Sequence, residues 1–172
     1  MIETSPQIRE NRAAPFRLPC VLAGAALSFA GAGVAGSLWW SERVGVDLPC
    51  TADSGCALVA ASRWAHINLL GLPHTPVALL GLLGYVLLLG LYMLRLGTQN
   101  AALDTRLHRL IWLIAGTGTA FSWYLQWVAY AEVHAYCPWC RASAWTMTAL
   151  LLTATMEWMA ARKKTFYEQP NG

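Results

Sequence analysis

Apolar residues run almost unbroken through four parts of the chain, residues 17 to 40, 74 to 96, 107 to 131 and 138 to 161, with short polar pieces between. Each is close to the roughly 20 residues that cross the hydrocarbon core of a bilayer. The fold class expected is an all-α membrane protein: a four-transmembrane-helix bundle with an outer loop over about residues 41–73 that carries a short interfacial helix. Residues 1–16 and 163–172 are read as tails flanking a membrane domain at 17–162.

Composition agrees, because 56% of residues are hydrophobic, only 12% are charged and nine are tryptophan, far from a soluble domain of this size. The first stretch is longer than the apolar core of a signal peptide. It is rich in small residues ("AGAALSFAGAGVAGS"), which suits close helix packing, so it is expected to stay as a helix. Cys20 at its start is expected to be a small buried apolar side chain.

Basic residues orient the bundle, since Lys and Arg concentrate on the cytoplasmic side of a membrane. Arg9, Arg12, Arg17, Arg95, Arg106, Arg109, Arg162, Lys163 and Lys164 flank one side, whereas Arg43, Arg63 and Arg141 flank the other. Both termini are therefore expected in the cytoplasm of a cell whose inner (plasma) membrane the chain spans. Cys50, Cys56, Cys137 and Cys140 then fall at the outer, oxidising face, where disulfides form and persist.

The stretch "CPWC" begins the fourth helix. Cys137 sits at the expected N-cap and Pro138 at the first helical position, where its missing N–H costs nothing. Unpaired N–H groups and the positive dipole end stabilise a thiolate there. A redox-active pair is the reading this supports; a static disulfide or half of a metal site are the alternatives, and a Cys-x5-Cys partner departs from common zinc spacings. No metal is expected.

That second pair, in "LPCTADSGCALV", lies in a turn of Thr, Asp, Ser and Gly. Two pairs in series make a thiol–disulfide relay, or else this one is a structural loop disulfide. In the following "ALVAASRWAHINLLG", Leu58, Val59, Trp64, Ile67 and Leu70 suggest an interfacial helix lying on the bundle. On such a helix Ser62 and His66 share a face, pointing either into the site below or into solvent.

Together the Cys-x5-Cys loop, the serine in "CALVAAS", the Gly-Leu-Pro before helix two, "LLGLLGY" within it, and CPWC opening helix four resemble the vitamin K epoxide reductase family. The likeness covers about residues 18 to 160. It implies a quinone (ubiquinone, menaquinone or vitamin K) held in the bundle, Cys137 and Cys140 as the redox pair with Cys140 nearest the ring, and Cys50 and Cys56 as the shuttle from a protein partner. Ser62 corresponds to the family's serine at the quinone pocket, its hydroxyl expected to donate to a quinone oxygen. Bacterial members pass electrons from thioredoxin-like proteins to quinone. Many carry such a domain fused; here a separate extracytoplasmic thioredoxin-like (DsbA-like) protein is expected as the partner.

No nucleotide motif competes with a quinone as acceptor. Of the aromatics near the outer ends, including Phe121, Trp123, Trp127, Tyr130 and Trp145, most are expected in an interfacial belt, with Tyr124 offered as a quinone contact alongside His66 and Gln126. Gln126 and Glu132 either meet the quinone or bond between helices; Glu157 is expected as a snorkelling charge. The alternatives are a DsbB-like quinone reductase, disfavoured because its two cysteine pairs come in the opposite order, and a non-catalytic scaffold with structural disulfides. A transporter is disfavoured by the lack of an inverted repeat. Topology is directly testable: a reporter fused after Lys164 should be active only in the cytoplasm and one inserted at Asp53 only outside, and the reverse pattern would exclude the relay.

Overall fold

The computed structural model describes residues 14–45, 55, 58–59, 62–69 and 72–167. Cys50 and Cys56, with the shuttle expected of them, lie outside the described residues. Four long helices occupy the four apolar stretches: α1 (Ala14–Val44), α2 (Val77–Gly97), α3 (Ala101–Val128) and α4 (Pro138–Tyr167). Local chemistry sets their ends. Gly45 stops α1 in the left-handed conformation (φ 68°), its N–H bonding Ser41 O at 2.9 Å, a conformation glycine adopts without strain. Asn100 caps α3 by accepting from the N–H groups of Ala102 and Leu103, satisfying two of its orphan donors.

Of the interfacial helix expected after Cys56, Leu58 and Val59 are helical, the Val59 N–H bonding Gly55 O at 2.9 Å, but the described residues from Arg63 onward form a 3₁₀ turn, Arg63–Ala65, and a two-stranded antiparallel hairpin, β1 (His66–Leu69) and β2 (Leu72–Pro76). His66 pairs with Pro76, Ile67 with Thr75 and Leu69 with Leu72. The reason lies in the residues just beyond. Gly71 is a poor helix former, Pro73 and Pro76 carry no N–H, and β-branched Ile67 and Thr75 prefer the extended backbone. Ser62 and His66 therefore do not share a helical face.

The helices alternate in direction, α1 packing along α2 and α4, and α3 along α4. Packing between α1 and α2 follows a spacing of seven. Tyr85 and Tyr92, each about 1% exposed, press their rings onto Gly31 and Gly24, where any Cβ would overlap the ring. Lipid offers little hydrophobic drive for helix association, so such close van der Waals seats carry much of it. Leu88, Ile111 and Leu150 fill the core between them. The outer surface is apolar, with Phe29, Leu83, Leu87, Leu113 and Leu152 all exposed. Two of the helices, over Arg17–Val44 and Val77–Gly97, are long and apolar enough to cross a membrane.

At one end of the bundle all four helices meet in an ionic cluster. Arg95 of α2 donates to Asp104 of α3 (2.9 Å) and to Glu157 of α4 (2.8 Å), while Arg17 of α1 bonds both Asp104 (2.7 Å) and the Arg95 carbonyl (3.1 Å). His108 lies 3.1 Å from Glu157. Glu157, expected to snorkel, is instead an interior ion-pair partner with a side chain only 10% exposed. An uncompensated Arg95 at this depth would be costly, and α4 brings its acid inward to meet it. Cys20, expected as a buried apolar side chain, is a half-buried free thiol at this same end.

The glycine seats make a clean prediction. Gly31→Ala should lower unfolding stability by about 1–3 kcal/mol, as overpacking does. Gly33, whose added Cβ meets nothing within 4 Å, should tolerate Ala or gain about 0.5–1 kcal/mol. Thermal unfolding in detergent compares them, and equal loss at both sites would rule out the seat.

Candidate active site

The opposite end of the bundle is open. Past Val128, α3 continues for one wide π turn over Ala129–Val133. His134, in the left-handed conformation (φ 51°), closes it, with the Ala135 N–H on Ala129 O at 3.2 Å. This reversal delivers Cys137 to the start of α4. The Cys137 carbonyl accepts the first intrahelical bond, from the Arg141 N–H (3.1 Å), so Cys137 is the N-cap. Its Sγ accepts the Cys140 N–H at 3.2 Å.

Both sulfurs are free thiols, Cys137 buried and Cys140 half-buried. The Cys140 thiol hydrogen-bonds the Cys137 sulfur. That bond, helped by the backbone N–H groups of Cys140 and Trp139 and opposed by burial, lowers the Cys137 thiol from its ordinary 9.0 to about 7. Near neutral pH the pair thus carries one thiolate and one thiol, the state from which thiol exchange and two-electron oxidation proceed.

The two thiols open onto a cavity of about 790 Å³ between the helices, at the end opposite the ionic cluster. Its lining is largely apolar or small, including Ala35, Gly81, Gly84, Ile114, Gly118 and Met147, with polar groups that include Ser62, His66, Glu42 and Gln126. The volume falls within the range of small-molecule sites, and apolar walls with a few fixed polar groups are what a ring with a hydrocarbon tail requires. Gln126 presents an amide with no hydrogen-bond partner among the described residues.

The remaining residues singled out from the sequence fall into place unequally. Ser62 lines the cavity, but its hydroxyl donates to Val59 O at 2.7 Å, holding the turn before Arg63. His66 also lines it, with Nε2 at 2.8 Å from Glu42 Oε1. Tyr124 stands outside the lining, 48% exposed and stacked on Trp127 with centroids 6.4 Å apart; Glu132 is likewise exposed. Trp123 faces α4, its Nε1–H bonding Thr148 Oγ1 at 3.1 Å. Sequence reasoning missed Glu42, Tyr85 and Ser143. Tyr85 donates to Ser143 O (2.8 Å), one helical turn beyond Cys140, and ties α2 to the turn that holds the thiols. Nothing in the sequence links residues 58 positions apart.

One further contact concerns the loop. Gly55 lies so close to the turn before Cys137 that an added Cβ would come 2.5 Å from Ala135 Cβ and 3.3 Å from the Tyr136 nitrogen.

The sequence profile described as "Vitamin K epoxide reductase family" matches residues 22–155, a span that contains Cys50, Cys56, Cys137 and Cys140. The chain belongs to the vitamin K epoxide reductase family. Members are integral membrane oxidoreductases of disulfide and quinone chemistry. Both the cavity and the dithiol suit a family that uses quinone.

The shared hydrogen bond has a measurable signature. In reduced protein with Cys20, Cys50 and Cys56 replaced by Ser, ultraviolet thiolate absorbance should rise through a midpoint near pH 7, and Cys140→Ala should move that midpoint upward. An unreplaced pair titrating near the ordinary 9.0 would refute it.

Proposed function

We propose that the protein is a thiol:quinone oxidoreductase that supports disulfide bond formation outside the cytoplasm. Electrons pass from a separate thioredoxin-like protein to Cys50 and Cys56, then to Cys137 and Cys140, then to quinone. The chain crosses the inner membrane four times with both termini in the cytoplasm and the thiols at the outer face. The observation that carries this reading is the Cys137–Cys140 dithiol, with its lowered thiol, opening directly onto an apolar cavity of about 790 Å³.

Each transfer balances as an exchange. A partner dithiol becomes a disulfide as the loop disulfide becomes a dithiol through a mixed disulfide, and the loop dithiol then reduces the helix pair in the same way. Gly55 against Ala135 supports the second step, since it sets the residue preceding Cys56 in sequence beside the turn preceding Cys137. Cys137 holds the thiolate at the helix N-terminus, Cys140 closes the disulfide onto it, and the two electrons leave to quinone, which becomes the quinol. Gln126 offers an N–H to a quinone oxygen, and the apolar walls exclude water from the sulfurs. Hydrogen bonds of this kind strengthen as negative charge develops on the acceptor.

Separate reductants distinguish the relay. With purified protein in lipid, Cys50→Ser or Cys56→Ser should abolish quinone reduction driven by the thioredoxin-like protein while dithiothreitol still drives it through Cys137 and Cys140. Gly55→Val, which costs about 1–3 kcal/mol of overpacking at the contact, should slow partner-driven turnover about tenfold and spare the dithiothreitol reaction. Equal losses with both reductants would mean that the loop pair is not upstream.

A further inference from the structure

Resting on the quinone reading above, we propose that Glu42 and His66 form the proton-donating dyad of the cavity, His66 handing a quinone oxygen the proton that the two thiols do not carry. The requirement follows from the balance. With Cys137 as thiolate, the pair holds one proton, on Cys140. When the S–S bond forms, two electrons leave the sulfurs and both quinone oxygens become hydroxyls, which takes two protons. The Cys140 thiol supplies one. A group on the cavity wall must supply the other.

Among the described residues, the titratable groups lining the cavity are Glu42, His66, Tyr85, Cys137 and Cys140. The two cysteines are already counted. Tyr85 is 1% exposed, so a tyrosinate left there would be buried without a counter-charge, and its O–H is engaged by Ser143 O at 2.8 Å. The wall hydroxyls of Ser41, Ser62, Thr117, Ser122 and Ser143 are alcohols, which do not give up a proton near neutral pH, and Ser41, Ser62 and Thr117 already donate to Leu38 O, Val59 O and Leu113 O. Gln126 lends a hydrogen bond but holds its protons. Only the hydrogen-bonded pair remains, Glu42 from the end of α1 and His66 from the start of β1, with Nε2 and Oε1 2.8 Å apart. Each side chain is 28% exposed, so the dyad touches water while its residues line the cavity, and it can reload after each turnover. Glu42 fixes the imidazole and balances its charge when protonated, and His66 is the general acid.

The test uses the full-length protein in lipid with dithiothreitol as reductant and a short-chain quinone as acceptor. Wild-type turnover checks the parent reading separately: without it the quinone function fails, and the dyad with it. Given turnover, His66→Ala should lower kcat about 100-fold, within the range for loss of a general acid. Added imidazole should restore the rate. Quinone affinity, read by quenching of tryptophan fluorescence, and the equilibrium of Cys137 and Cys140 with glutathione should not change. Glu42→Gln should give a smaller loss and add nothing to His66→Ala. A wild-type rate in His66→Ala, a loss that imidazole leaves unrelieved, or a loss matched by weaker quinone binding would each overturn the proposal.

Discussion

Arg95 is the constraint on which the bundle depends. It lies 4% exposed in the interior, and a guanidinium there has to be matched by charge. Asp104 and Glu157 match it from α3 and α4, and Arg17 adds α1 by bonding both Asp104 and the Arg95 carbonyl. One buried cation therefore joins all four helices at a single level. Removing one partner of such a cluster leaves an uncompensated charge, at a cost of about 3–5 kcal/mol. The cluster is also directional: it brings together the start of α1, the end of α2, the start of α3 and the end of α4, which leaves the opposite ends to form the cavity.

Between the two ends, Tyr92 and Tyr85 hold α2 against α1 at Gly24 and Gly31. Tyr85 does more than pack. Its hydroxyl reaches across to Ser143 on α4, one turn from the thiols. Around it the cavity is lined largely by glycine, alanine and aliphatic side chains.

The thiol chemistry is local to three turns of backbone. A wide π turn and one left-handed residue, His134, aim the chain so that Cys137 becomes an N-cap with its sulfur facing the N–H of Cys140. The polar residues that line the same cavity come from remote segments, Glu42 from α1, His66 from the hairpin and Gln126 from α3. A reaction that moves electrons from sulfur and protons from elsewhere needs both kinds of group at one opening.

Much of this was legible in the residues alone. Long, largely apolar stretches pointed to four helices, because a helix satisfies its own backbone hydrogen bonds where water is scarce. The Cys-Pro-x-Cys spacing determined the capped thiol pair, since proline and the helix N-terminus act within four residues. What failed was whatever depended on contacts across the fold. The segment after Ser62 reads as helix by its own side chains and becomes a hairpin once Pro73 and Pro76 share its register. Glu157 reads as a surface charge until Arg95, 62 positions away, is placed beside it. Tyr124, Gln126 and His66 are equally plausible cavity residues by composition, and only the rotation of α3 and the course of β1 put the first outside and the other two at the opening. Sequence settles what neighbours in the chain can decide; burial, charge pairing and the choice of which face lines a cavity are set by residues far apart, and these the tertiary structure alone decided.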